Sequence, residues 1–271
     1  MTTEFHGLLD EHAEDLRKPL YLQGRNGLAV MLDGPALRIE QPERAAVLYP
    51  LARLARVLSK GGVGWRCEAL LACAGAGIPV VFLDGAGGVQ AYLFGSSGGE
   101  NTLYLRLWSC RRHPTGMALY MQWRRTMAAH ARRTLARQLR LTGHTVGQWV
   151  WRADVSVGLL ASIKALDDNV CQQLGGLLAG FSAQLWAEAG LGAQRLVSLE
   201  PLQVVDDLAG LLGWALIAPI LRASSCGDWG ESQPDGCDEH TLTVLVEARR
   251  DEIFRFGRLL LACLENGLRE C

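Results

Sequence analysis

The chain has 271 residues, 27 Lys+Arg against 28 Asp+Glu, and 49% apolar residues, which is the composition of a globular protein rather than a disordered one. Its longest charge-free apolar stretches, Ala69 to Leu83 and Leu208 to Leu221, fall short of the ~18 residues a spanning helix needs, and the N-terminus lacks the basic-then-apolar order of a signal peptide. A soluble cytoplasmic protein is expected, and eight cysteines without a CxxC read as core residues or free thiols.

Residues 1–18 read as a polar tail. From Pro19 the pattern is β-like: Leu20, Leu22, Leu28, Val30 and Leu32 alternate loosely with polar or small residues, and Asp33-Gly34-Pro35 marks a turn. Ala36 to Glu40 and Ala46 to Pro50 are further strands. Pro50 to Lys60 fits strand or helix equally. Glu68 to Ala76 predicts a helix stopped by Gly77, and Ile78 to Leu83 a buried strand paired with Val89 to Phe94. Gly95-Ser96-Ser97-Gly98-Gly99 reads as a linker.

Past residue 115 the periodicity is helical. Met121, Trp123, Met127, Leu135 and Leu139 share one face of a wheel, while Arg125, Arg132, Arg133, Arg137 and Arg140 gather on the other. Asp167 to Gly190, Pro201 to Ala223 and Thr241 to Arg269 are Leu/Ala-rich helices, and Ser224 to Glu239 is a polar loop. The fold class is therefore α+β: a β-sandwich-like domain over 19–95, a linker over 96–100 and an all-helical domain over 101–271.

The charges are sorted along the chain. Residues 101–153 hold ten arginines, three histidines and no acid, where an even spread would place about five acids. Guanidinium groups without carboxylate neighbours match phosphate oxygens two at a time, so Arg111, Arg112, Arg124, Arg125, Arg132, Arg133, Arg137 and Arg140 are the candidate nucleic-acid contacts. The bland alternative is a solvated helix face paired with the acidic C-terminal block. Cys226, Cys237, Asp238 and His240 share one loop, but their spacing is not that of a zinc site. Asp206 and Asp207 open an apolar helix in which one acid must point inward and find a partner. There is no P-loop, GxSxG elbow or dinucleotide fingerprint.

Several separated segments resemble one family. Leu20 to Leu58 and Glu68 to Leu93, with GIPVVFLDGAG at their centre, are similar to the β-domain of the CRISPR-associated integrase of spacer acquisition (Cas protein one), closest to its Cascade-type form. Asp167 to Gly192 resembles that family's Asp-x-x-Asn helix, Val205 to Pro219 its Tyr-Asp-Ile-Ala-Asp helix, and Glu247 to Leu264 its closing helix. The resemblance implies a homodimer formed through the N-terminal halves, association with Cas protein two or other CRISPR-associated subunits, and binding of double-stranded DNA. It also implies metal-assisted transesterification on Mg2+ or Mn2+ held by a Glu, a His and an Asp.

Here the sequence departs from that pattern. The Glu position falls on Ala128, the His position on Val197, and the second acid of Asp-x-x-Asp on Gly210, leaving Asp207 with Asp206 as weak metal candidates. A hard divalent cation takes anionic oxygen ligands, and one Asp beside Ala and Gly supplies few of them. The expectation is a DNA-binding scaffold subunit without catalytic residues or a resident metal. Two alternatives are an active integrase with a relocated metal site built on Asp206, Asp207 and Glu200 or the 224–240 loop, and a structural interaction protein without nucleic acid.

Overall fold

The computed structural model describes residues 17–24, 27–96, 101–138, 168–225 and 239–269. The chain is α+β. The first sheet has strand order β1-β5-β7-β8, from β1 (Lys18–Gly24), β5 (Leu54–Gly61), β7 (Val80–Leu83) and β8 (Val89–Leu93). Its first three strands run parallel and β8 closes the edge antiparallel to β7. The second sheet has order β4-β3-β2-β6, from β2 (Ala29–Asp33), β3 (Ala36–Glu40), β4 (Val47–Pro50) and the two-residue β6 (Gly64–Trp65). The ambiguous Pro50 to Lys60 segment resolves into one 3-10 turn and β5, a strand buried from Leu54 to Ser59. Helix α1 (Cys67–Gly75) ends before Gly77, whose φ of +68° supplies the left-handed stop the sequence predicts.

The two sheets and α1 enclose a small core of Leu20, Leu22, Val30, Leu37, Val57, Ala69, Cys73, Ile78 and Val80. Because side chains alternate across a strand, Leu58, Val81 and Leu83 leave the opposite face of the first sheet and join the large helical core. Both faces of this sheet are therefore covered, as parallel strands require.

The helical half comprises α2 (Thr102–Arg112), α3 (Pro114–Gln138), α4 (Asp168–Glu188), α5 (Ala193–Ser198), α6 (Val204–Ser225), α7 (Glu239–Glu247) and α8 (Arg250–Gly267). The sequence leaves α2 and α5 unassigned and fuses α7 with α8. The break falls at Ala248 and Arg249. Helix α4 is the central element, buried almost continuously from Leu174 to Trp186. It lies on the first sheet through Gly176 and Gly180: a Cβ at Gly180 would stand 2.9 Å from Leu58, and one at Gly176 would run into the Gly87 carbonyl. The α3 face directed to the core is carried by Tyr120, Trp123, Ala128, Ala131 and Leu135, whereas Met121, expected on that face, is exposed. The reason is register: Tyr120 and Trp123 turn inward, and Met121 lies between them on the outer side. No described helix is long and apolar enough to cross a membrane.

Candidate nucleic-acid interface and the acidic pair beside it

Helix α3 spans 25 residues without an acid in its first turn. With its apolar stripe turned inward, Arg125, Arg133 and Arg137 are exposed and Arg132 is half-buried. Arg125 and Arg137 are separated by about 18 Å along the helix axis at 1.5 Å per residue. Among the described residues none of these four has a carboxylate within ion-pair distance. Arg112, at the end of α2, is exposed with its guanidinium 3.5 Å from the Trp108 ring centroid. Two of the arginines expected at phosphates are engaged elsewhere. Arg111 donates to the Ser198 carbonyl at the end of α5, and Arg124 forms an ion pair with Asp207, its Nη2 at 3.0 Å from Oδ1. Arg140 lies outside the described residues.

Asp206 and Asp207 lie in the first turn of α6, where the free N–H groups of a helix N-terminus favour negative charge. Each carboxylate receives a tyrosine. Tyr92 on β8 donates to Asp206 Oδ1 at 2.7 Å, and Tyr120 on α3 donates to Asp207 Oδ2 at 2.7 Å. Tyr120 and Arg124 are one turn apart on α3, so a single face of that helix covers both oxygens of Asp207. The pair is mostly enclosed: the Arg124 and Asp207 side chains are 18% and 8% exposed. Burial pushes the Asp207 carboxyl above its ordinary 3.8, with Asp206 adding to the rise against the opposing pull of Tyr120 and Arg124. Burial likewise raises the Tyr120 and Tyr92 hydroxyls, reinforced by the acid each one faces, so both donate as neutral phenols.

The three positions at which the sequence departs from the expected ligand pattern divide. Ala128 is one turn beyond Arg124 on α3 and 5% exposed, and Gly210 is nearly one turn beyond Asp207 on α6 with nothing within 4 Å of where a Cβ would stand. Val197, in contrast, is 67% exposed on the six-residue α5, and its neighbour Ser198 is the residue bonded to Tyr104 and Arg111. A divalent cation does not fit what is here. Both Asp207 oxygens already accept from a guanidinium and a hydroxyl, and neither Ala128 nor Gly210 can contribute an oxygen from its side chain. Among the described residues no three His, Cys, Asp or Glu side chains converge. Glu200 is exposed, His240 is exposed on α7, and Cys226, Cys237 and Asp238 lie outside the described residues.

Sequence reasoning misses both tyrosines. Tyr120 carried a signal, its i,i+4 spacing to Arg124, but Tyr92 is 114 residues from its partner and carried none. It also misses a groove of about 780 Å3 where α3, α6 and α8 meet, its lining including Leu135, Trp214, Phe256 and Leu259 as well as His130, Glu252, Arg255 and Arg258.

The model of the CRISPR associated protein Cas1 family matches residues 20–167, more than half of the chain. No curated protein sequence matches significantly. Among solved structures, a Cas1 protein from Thermotoga maritima superposes with a TM-score of 0.63 at 13% identity, covering 91% of this chain and 97% of that one. TtCas1 in complex with DNA gives 0.56 at 16% identity, with 93% and 92% covered. A casposase bound to an integration product gives 0.55 at 10% identity, with 90% and 91% covered. These similarities are of fold; together with the family match over the sheets and the arginine helix, they place the chain in the Cas1 family of CRISPR associated proteins.

Proposed function

We propose that this chain is a DNA-binding Cas1-family protein that performs no integrase chemistry of its own and serves as a scaffold subunit of an adaptation or related CRISPR complex. The observation that carries this reading is the state of Asp207: its two oxygens are held by Arg124 and Tyr120, while Ala128 and Gly210, the positions at which the resemblance implies further ligands, carry no oxygen in their side chains. The DNA half of the reading rests on the exposed Arg125, Arg133 and Arg137 and the half-buried Arg132 along α3, without acid partners among the described residues, and on the exposed Arg112 at the end of α2. DNA is a partner of TtCas1 in its complex, and another structural neighbour is a Cas6-RT-Cas1–Cas2 assembly, so duplex DNA and a Cas2 protein are the partners proposed here.

A homodimer is part of the same proposal. Strand β4 lies at the edge of the second sheet with Val47, Leu48 and Tyr49 all exposed, Leu48 at 55%. An edge of that length without a partner strand among the described residues invites another strand. The scaffold reading is tested by incubating the chain, with and without a Cas2 protein, with Mn2+ and a labelled duplex. Salt-sensitive binding without cleavage or strand transfer is expected, and strand transfer that disappears in Asp207→Ala overturns it. Duplex affinity that does not fall with salt between about 50 and 200 mM overturns the phosphate contacts.

A further inference from the structure

The empty ligand positions leave a physical question: what compensates the negative charge gathered at the start of α6. Asp206 and Asp207 are adjacent, Asp207 is nearly buried, and hydroxyl donors alone carry no formal charge to set against them. The one cation in contact with Asp207 among the described residues is the Arg124 guanidinium, presented by α3 and 18% exposed. It reaches one oxygen while Tyr120, one turn earlier on the same helix, takes the other. A guanidinium cannot lose its proton under ordinary conditions, so this charge is permanent.

We infer that Arg124 is a built-in cation for this domain: its guanidinium occupies the face of Asp207 that a divalent ion would need, and thereby fastens the arginine helix α3 to α6 without metal. This rests on the non-catalytic reading and deepens it, because the acid that remains has a structural task. Arg124 is thus a positioning residue, withdrawn from the phosphate-facing row that its neighbour Arg125 joins. Arg124→Ala or Arg124→Met would release Asp207 Oδ1 and leave two adjacent acids with only neutral phenol partners among the described residues, a site that a hard cation can enter.

The experiment compares the thermal midpoint and duplex affinity of the full chain in EDTA and in roughly millimolar Mn2+ at matched ionic strength. For the wild type we expect no change in midpoint and a change in duplex affinity within about twofold. For Arg124→Ala we expect a lowered midpoint that Mn2+ raises again and that Na+ at the same ionic strength does not. If Arg124→Ala fails to fold, Arg124→Met combined with Asp207→Asn removes both charges; it is expected to fold and to ignore Mn2+. A wild type destabilised by EDTA, an Arg124→Ala protein that folds but gains no response to Mn2+, or a double variant that responds to Mn2+ overturns the inference. The scaffold reading fails by a different signal, strand transfer by the wild type. Loss of duplex binding with the Mn2+ responses intact would remove the DNA partner while leaving Arg124 in its role.

Discussion

Asp207 is an acid at the start of a helix with both oxygens engaged, one by Arg124 and the other by Tyr120. A carboxylate that has lost most of its water is costly even when paired, and an Asp–Arg pair at 3.0 Å does not recover all of that cost, which is why the carboxyl sits above its ordinary value. The folded state therefore holds the proton more tightly than the unfolded chain does. The sign follows: stability from this group is fully present below 3.8 and is lost as pH rises through the higher folded value. Asp207→Asn, which mimics the protonated acid, removes this dependence. In thermal melts between about pH 4 and pH 7, wild type should gain on Asp207→Asn as the pH falls. A constant gap between the two proteins would contradict the burial argument. The residues around Asp207 were partly legible in the sequence. Ala128 and Gly210 stood out because they break a pattern that Asp207 keeps, whereas Val197 has the right spacing but the wrong direction, since a side chain 67% exposed faces away from any enclosed site.

At the scale of elements, α4 and α3 solve opposite problems. Helix α4 must come close to a sheet, and it does so where Gly176 and Gly180 remove side chains from the contacting stripe. The two positions differ in what they face. A methyl at Gly180 meets the flexible end of Leu58, which can move, but one at Gly176 meets the Gly87 backbone carbonyl, which cannot. Gly176→Ala should therefore cost about 2–3 kcal/mol, while Gly180→Ala should cost under about 1 kcal/mol because alanine's helix preference offsets part of the crowding. Urea titration of the two variants decides this. On the proposed DNA-binding reading, helix α3 must instead keep one face free for a polyanion. If Arg133 and Arg137 each neutralise a phosphate, replacing both with Gln should lower the slope of log affinity against log salt by about 2 and weaken binding across unrelated duplex sequences alike. The periodicity of α3 gave its outer face correctly at Arg125, Arg133 and Arg137. It misplaced Met121, which at about 100° per residue lies roughly 160° from the buried Trp123 and only about 40° from the exposed Arg125.

For the whole molecule, the alternation of the N-terminal strands and the helical periods beyond residue 115 were enough to read an α+β chain with strands first. What they could not reveal was that β5 is enclosed on both faces. A strand buried on both sides loses its alternation, so LARLARVLSK looked equally like helix. The disguise was completed by Arg56, a fully buried arginine in the middle of that strand. Its guanidinium donates to Gln184 Oε1 at 2.8 Å on α4, pairs with Glu247 on α7, and lies 3.8 Å from the Phe181 ring centroid, while Tyr21 on β1 donates to the same Glu247. One residue of the sheet thus binds two helices of the C-terminal half. Arg56→Ala should cost about 3–5 kcal/mol, because it strips the half-buried Glu247 of its counter-charge and opens a cavity beside Phe181. Arg56→Met with Glu247→Gln should recover a large share of that loss, as measured by denaturant midpoints.

The doubly covered sheet has a consequence for dissecting the chain. A fragment ending near residue 96 would retain all eight strands, yet leave Leu58, Val81, Leu83 and Phe94 facing water on one broad apolar surface, with Arg56 stranded among them. Such a piece should precipitate or self-associate when expressed alone and regain solubility when the helical half is supplied as a separate polypeptide. Size-exclusion profiles of the two fragments, apart and mixed, would report it.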